Sequence, residues 1–220
     1  MSDLGSAILL SMRIAILATL LTALIALPLA FWLGRRKRFG ASVFEAFILL
    51  PLVLPPTVVG YLLIRLLGAQ SWIGIWLKKT FDYTFLFRIE AAVIAATVVS
   101  LPLLYLPAKA AFASVERELE DIARIMGANR LQIFWHVSLP LARRGIISGL
   151  LLAFARSLGE FGATVMVFGQ SEDRVTLPIS VYLDYEMNQW SHALPAVLFL
   201  TAVSIVVIVI YNRLPATRQE

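Results

Sequence analysis

The sequence predicts an all-α protein, a polytopic transmembrane helical bundle of five to six spans. Of its 220 residues, 60% are hydrophobic and only 15% are charged, whereas soluble domains average about 45–50% and about 25%. The mean hydropathy is +0.83, and several apolar runs approach the ~20 residues that a bilayer's hydrocarbon core requires. A buried core cannot hold this much apolar surface, so the outside of the protein is also expected to face lipid.

Five long apolar runs account for the predicted spans. Four of them contain no charged residue and cover residues 14–34, 46–64, 91–108 and 193–211. The fifth covers residues 145–169 and is interrupted only by Arg156 and Glu160. Two shorter runs, 72–77 and 175–183, are too short to cross, so we expect interfacial or re-entrant pieces there. A sixth span would have to lie in one of these two regions.

The distribution of basic residues predicts the orientation, because loops that stay in the cytoplasm are rich in Lys and Arg. The predicted inner side carries twelve of them: Arg35, Arg36, Lys37, Arg38, Lys109, Arg117, Arg124, Arg130, Arg143, Arg144, Arg213 and Arg218. The outer side carries four: Lys78, Lys79, Arg88 and Arg174. We therefore expect the N-terminus outside and the C-terminus inside. The first run is interpreted as a retained helix rather than a signal peptide, because the basic cluster 35–38 follows it directly.

The chain is predicted to be a single transmembrane domain, residues 1–220, with one large cytoplasmic loop. With no cysteine, disulfide frameworks and thiol nucleophiles are excluded. His136 and His192 stand in no metal-ligand pattern. The basic residues cluster at the ends of apolar segments rather than on one face, so no nucleic-acid partner is expected. The chain is expected to be surrounded by membrane lipid.

The cytoplasmic loop, residues 114–140, contains a predicted amphipathic helix that a simple connection would not need. Leu119, Ile122 and Met126 recur on one helical face among charged residues. Gly127 is expected to end this helix with a positive φ. The resulting apolar ridge fits either docking to another protein or packing on the chain's own inner face, and periodicity does not decide between the two.

A second short helix is predicted to follow the first within the loop. Asn129 can cap it, and Gln132 three positions later completes a capping box. Pro140 is expected to mark its end.

The same loop resembles a motif of the membrane subunits of binding-protein-dependent ABC importers. That motif reads Glu-Ala-Ala, three residues, Gly, nine residues, Ile-x-Leu-Pro. Asp121, Ile122 and Ala123 occupy its first three positions, of which only Ala123 is retained, and Val137 replaces Ile. Gly127, Leu139 and Pro140 match. The resemblance implies the fold of a type I ABC importer transmembrane domain and docking to an ATPase subunit through Leu119, Asp121, Ile122, Ala123, Met126, Gly127, Leu139 and Pro140.

Two further segments resemble the molybdate branch of this family. They are LPLVLPPTVVG at residues 50–60 and ARSLGEFGAT at residues 155–164. The resemblance implies a homodimer, two ATP-binding cassette subunits and an extracytoplasmic molybdate-binding protein. It implies no cofactor in this chain, since ATP and Mg²⁺ would be bound by the partner ATPase. Tungstate is not distinguishable from molybdate here, and a sulfate or thiosulfate permease is the alternative.

Arg156 and Glu160 are the charges within a predicted span, and at i, i+4 spacing they are expected to meet on one helical face. A charge at this depth costs about 2.5–3.5 kcal/mol, so both should point into protein or a water-filled cavity. We expect the pair to line a translocation pathway for an anion at the dimer axis, with hydroxyls from Ser157 and Thr164. Gly159 and Gly162 would allow close helix approach. A purely structural ion pair is the alternative.

Two other functional classes fit the sequence less well. An ion-coupled secondary transporter would normally show paired repeats with buried ionisable residues in both halves, and only one such pair is found. An intramembrane enzyme would need catalytic constellations that the spans lack. The sequence contains no Gly-x-x-x-x-Gly-Lys-Ser/Thr phosphate loop, so the chain is not expected to be an enzyme. ATP hydrolysis would belong to a partner subunit.

Overall fold

The computed structural model describes residues 4–34, 39–169 and 175–214, and these residues are almost entirely helical. Six of the basic residues used to predict the orientation lie outside the described residues: Arg35, Arg36, Lys37, Arg38, Arg174 and Arg218. The helices are α1 Leu4–Leu33, α2 Phe39–Val53, α3 Pro56–Leu67, α4 Trp72–Phe81, α5 Ile89–Ala113, α6 Arg117–Ile125, α7 Arg130–Ile133, α8 Leu139–Leu158, α9 Gly162–Phe168, α10 Leu177–Glu186 and α11 Trp190–Arg213. A π-helical turn, Phe134–Ser138, joins α7 to α8.

Four helices of the described residues are long and apolar enough to cross a membrane: α1, α5, α11 and the continuous helix Arg130–Leu158. The bent pair of α2 and α3 makes a fifth span if it crosses as one. The predicted all-helical transmembrane bundle is confirmed. It has five spans if the bent pair of α2 and α3 is counted as one span. The two short runs form α4 and α10, whose 10 residues each reach only about 15 Å. A sixth span is therefore not found in the described chain.

Two of the predicted spans are broken. The run 46–64 bends by 118° between α2 and α3. Pro55 and Pro56 stand at the bend, and proline can neither donate a backbone hydrogen bond nor fit against the carbonyl four residues earlier. The run 145–169 stops at Leu158 and resumes at Gly162. The length of the apolar runs predicted correctly that both regions are helical, but it does not reveal where a helix breaks within them.

Helix α5 is the centre of the bundle, and α1 and α8 pack along it. Its small residues, including Ala92, Ala95 and Ala96, are fully or almost fully buried. On the facing side of α8, a Cβ added at Gly145 would lie 2.6 Å from the Ala111 Cβ. Small residues thus let these helices approach closely, as is usual in membranes.

Gly145→Leu is expected to lower the free energy of unfolding by about 1–3 kcal/mol, because overpacking forces well-packed helices apart. Gly40→Leu is the matched control, since a Cβ there meets nothing within 4 Å. Thermal unfolding of both variants in detergent micelles checks the prediction. Equal midpoints would show that α5 and α8 tolerate the added side chain.

Candidate coupling surface and membrane ion pair

The helices predicted in the loop 114–140 are confirmed. Helix α6 ends at Ile125, and Gly127 follows with a φ of +90°. Helix α7 begins with the predicted capping box: the Gln132 N–H donates to Asn129 Oδ1 at 2.9 Å, and the Asn129 N–H donates to Gln132 Oε1 at 2.8 Å. Local interactions therefore fix where α6 ends and where α7 begins.

The expectation that Pro140 ends the second helix is wrong. The chain continues without a break from α7 through the π-helical turn into α8, and Pro140 lies in the first turn of α8. A π-turn bonds i to i+5 and widens the backbone, so the carbonyl that proline would strike is displaced. The loop is thereby joined rigidly to a membrane helix.

The apolar ridge predicted on α6 is exposed. Leu119, Ile122 and Met126 retain 41%, 53% and 82% of their surface, so packing on the chain's own inner face is not observed in the described protomer. Asp121 is also exposed, and the Arg124 Nη1 donates to its Oδ1 at 2.6 Å. The remaining predicted docking residues, Ala123, Gly127, Leu139 and Pro140, are exposed or half-buried.

Three exposed apolar residues beside the ridge were not predicted. Ile125, Leu131 and Trp135 retain 86%, 67% and 56% of their surface. The i, i+3 spacing of Ile122 and Ile125 could have indicated the first of them. The exposed apolar residues of α6, α7 and the π-turn are together called the coupling surface: Leu119, Ile122, Ile125, Met126, Leu131 and Trp135.

A buried carboxylate positions the coupling surface. Glu120 is only 3% exposed, and its Oε1 accepts a hydrogen bond from the fully buried Ser138 hydroxyl at 2.5 Å. Ile122 lies about 200° further around the helix than Glu120. Because Glu120 points into the protein, the ridge must point away from it. Neither residue was predicted as a site, since Ser138 is remote from Glu120 in sequence.

The second candidate site lies at the break between α8 and α9. Arg156 is in the last turn of α8, Gly159 ends that helix, and Glu160 lies in the break. The predicted contact is confirmed, because the Arg156 Nη1 lies 2.6 Å from Glu160 Oε2. The two residues do not share one helical face as expected, since glycine ends the helix before Glu160.

Glu160 has a second role in the break. Its Oε1 accepts the Ala163 N–H at 2.7 Å, in the first turn of α9. The residue is 2% exposed, whereas 30% of the Arg156 side chain is exposed. A single carboxylate therefore bonds the start of one helix and neutralises a cation from the end of another.

The other residues predicted to line the pathway differ in how far they are buried. Ser157 and Thr164 are buried inside the protomer, whereas Gly159 is exposed. Gly162 packs within the chain, because a Cβ there would lie 3.0 Å from the Pro56 Cβ. Its lack of a side chain thus serves the contact between α9 and α3 of one protomer. Arg156 and Gly159 reach the surface.

A family model described as "Binding-protein-dependent transport system inner membrane component" matches residues 26–217. The chain belongs to this family. The match includes both the coupling surface and the Arg156–Glu160 pair. The permease is thus a multi-pass inner membrane protein, and the resemblance of the loop motif to ABC importer subunits is confirmed.

Several permeases of other organisms are similar to this chain over most of their length. A molybdenum transport system permease of Escherichia coli K12 is 42% identical over 177 residues, which are 80% of this chain and 77% of that protein. One of Haemophilus influenzae is 38% identical over 80% of this chain and 78% of its own length. A sulfate transport system permease of Synechocystis is 34% identical, over 89% and 74%.

Solved structures confirm the fold. A chain of a methionine ABC transporter, crystallised in inward-facing conformations, superposes with a TM-score of 0.66 over 97% of this chain and 96% of the other. The sequences are only 16% identical, so the likeness concerns the fold alone. The permease has the architecture of a type I ABC importer transmembrane domain.

Proposed function

We propose that this permease is the membrane subunit of an ATP-driven molybdate importer. The observation that carries the proposal is the similarity to molybdenum permeases, which reaches 42% identity over four-fifths of the chain. In the proposed assembly, two copies form the pathway and two ATPase subunits bind ATP with Mg²⁺. An extracytoplasmic binding protein delivers the oxyanion. The chain itself carries out no catalysis.

The described contacts support separate roles for the two sites. The coupling surface exposes apolar side chains that would suit a cleft on the ATPase. Arg156 would give the pathway a positive potential that attracts a dianion. Glu160 at 2.6 Å would offset most of that charge, so the ion is not held too tightly to leave. Arg156 and Gly159 would line the pathway. The buried Glu160 would hold the Arg156 side chain in position through their ion pair.

Reconstituted transport tests the proposal. The permease, its ATPase and its binding protein are inserted into vesicles, and molybdate uptake is followed with ATP on the ATPase side. We expect uptake to require ATP and to persist when proton and sodium gradients are collapsed. Uptake driven by either gradient without ATP would overturn the proposal in favour of a secondary transporter.

Sulfate is the second candidate cargo, because a sulfate permease is 34% identical to this chain. Competition in the same vesicles separates the two oxyanions. We expect a tenfold excess of sulfate to leave molybdate uptake nearly unchanged, whereas tungstate competes. Strong inhibition by sulfate would assign the chain to the sulfate branch.

We propose that the N-terminus lies outside and the C-terminus inside, as the distribution of Lys and Arg indicates. The chain has no cysteine, so single cysteines can be introduced without background. A cysteine at Ser2 should react with an impermeant maleimide on intact cells, and one at Ala41 only after permeabilisation. The reverse labelling pattern would contradict the orientation.

A further inference from the structure

A groove of about 890 Å³ lies between α1 and the start of α5. It is on the side of the bundle away from the loop 114–140, which we call the coupling segment. Its walls are mainly apolar and include Leu17, Leu21 and Ile94. Arg13, Arg88 and Glu90 also line it, which gives the groove a net positive charge. Neither candidate site described above uses these residues.

Arg13 lies within an otherwise apolar, exposed stripe of α1. Leu9, Leu20 and Leu24 retain 72%, 62% and 72% of their surface, and at this spacing they share a helical face with Arg13. Such a face of a membrane helix contacts lipid. The exposed Arg13 therefore lies on the surface of the protein that faces the bilayer.

The depth of Arg13 matches that of lipid phosphates. At the other end of α1, Phe31 packs against Phe112 and Phe134, next to the coupling segment. A hydrocarbon core of ~30 Å takes about 20 helical residues, and counting back from Leu33 reaches Ile14. Arg13 therefore lies at the opposite boundary of the core, where headgroups begin.

Arg88 stands at the same boundary, immediately before α5. Its guanidinium lies 4.5 Å from the centre of the Tyr83 ring, a cation–π contact that holds it in place. The ion pairs found among the described residues involve other arginines and lysines. Within the described chain, both guanidiniums of the groove thus retain hydrogen-bond donors for a ligand.

We propose that this groove binds an anionic phospholipid of the leaflet opposite the coupling segment. Arg13 and Arg88 would donate charge-assisted hydrogen bonds to the phosphate, which guanidinium geometry suits. An acyl chain would lie against Leu17, Leu21 and Ile94. A headgroup with net negative charge offsets the positive groove, whereas a zwitterionic headgroup adds a cation beside the two arginines. A free oxyanion would leave the apolar walls uncovered.

Retention of lipid by the purified permease tests the proposal. The full chain is extracted from vesicles of mixed phosphatidylglycerol and phosphatidylcholine, and bound lipid is measured by native mass spectrometry. We expect the wild type to retain phosphatidylglycerol selectively. Arg13→Gln and Arg88→Gln should each weaken this retention by about tenfold, the loss of one charge-assisted contact.

Arg65→Gln is the matched control, because Arg65 is an exposed arginine in the last turn of α3 and does not line the groove. Arg13→Lys keeps the charge and should retain more lipid than Arg13→Gln. Arg88 precedes α5, so its variant tests the proposal even if a change within α1 impairs folding. Unchanged retention in both glutamine variants, or an equal loss in Arg65→Gln, would refute the lipid site. Displacement of the lipid by soluble glycerol phosphate or molybdate would also refute it, in favour of a free oxyanion site.

Discussion

Glu160→Gln is expected to slow molybdate uptake at least tenfold while leaving the transporter assembled. Glutamine has nearly the same volume, and its amide oxygen can still accept the Ala163 N–H that Glu160 bonds at 2.7 Å. What it removes is the charge that neutralises Arg156 at 2.6 Å. An unneutralised guanidinium in a pathway of low dielectric would hold a dianion longer and delay its release.

Glu160→Ala separates this effect from a structural one. Alanine removes both the hydrogen bond to α9 and the charge, and breaking a buried ion pair by losing one partner costs about 3–5 kcal/mol. We expect poor assembly for this variant, measured as co-purified ATPase. If Glu160→Gln also lost the ATPase, or if it transported at the wild-type rate when assembled, the pair would be purely structural.

Ile122→Asp is expected to abolish substrate-stimulated ATP hydrolysis. The side chain is 53% exposed at the centre of the coupling surface. If it fills an apolar cleft on the ATPase, its burial contributes roughly 1.5–3 kcal/mol to docking. A charged replacement would also need to be desolvated there. The ATPase should therefore separate from the permease during purification.

Two further variants sharpen this test. Arg117→Ala lowers the net charge by one, as Ile122→Asp does, but Arg117 lies on the far side of α6, so coupling should be retained. Gly127→Val should uncouple by a different route, because the φ of +90° there is strained for valine. Normal stimulated hydrolysis in both Ile122→Asp and Gly127→Val would show that the ATPase docks elsewhere.

Apolar run length was sufficient to predict the bundle, because a bilayer demands long uninterrupted hydrophobic segments. It could not place the breaks inside the runs. Pro55 and Pro56 lie in the run 46–64, and there α2 and α3 diverge by 118°. Gly159 ends α8, a role that its spacing did not indicate. Where a glycine or proline terminates a helix depends on neighbours that sequence spacing does not reveal.

The structure of the coupling segment could be predicted wherever it depends on residues that are close in sequence. Caps and turns form between residues a few positions apart, so Asn129, Gln132 and Gly127 could be assigned from sequence. The burial of Glu120 could not, because Ser138, its partner, is 18 residues away. Glu120 belongs to a strongly charged helix and gave no sign of burial. The docking and pathway residues stay predictions.

The unbroken helix from Arg130 to Leu158 has a mechanical consequence. Its 29 residues span about 43 Å. One end carries Leu131 and Trp135 of the coupling surface, and the other carries Arg156. A helix of this length would transmit a tilt from one end to the other. A tilt of about 5° about the Arg130 end would displace the far end by about 4 Å for a helix of this length. This displacement exceeds the 2.6 Å that separates Arg156 from Glu160. Because Glu160 accepts a hydrogen bond from α9, beyond the end of this helix, such a tilt would act on the Arg156–Glu160 contact across the break at Gly159.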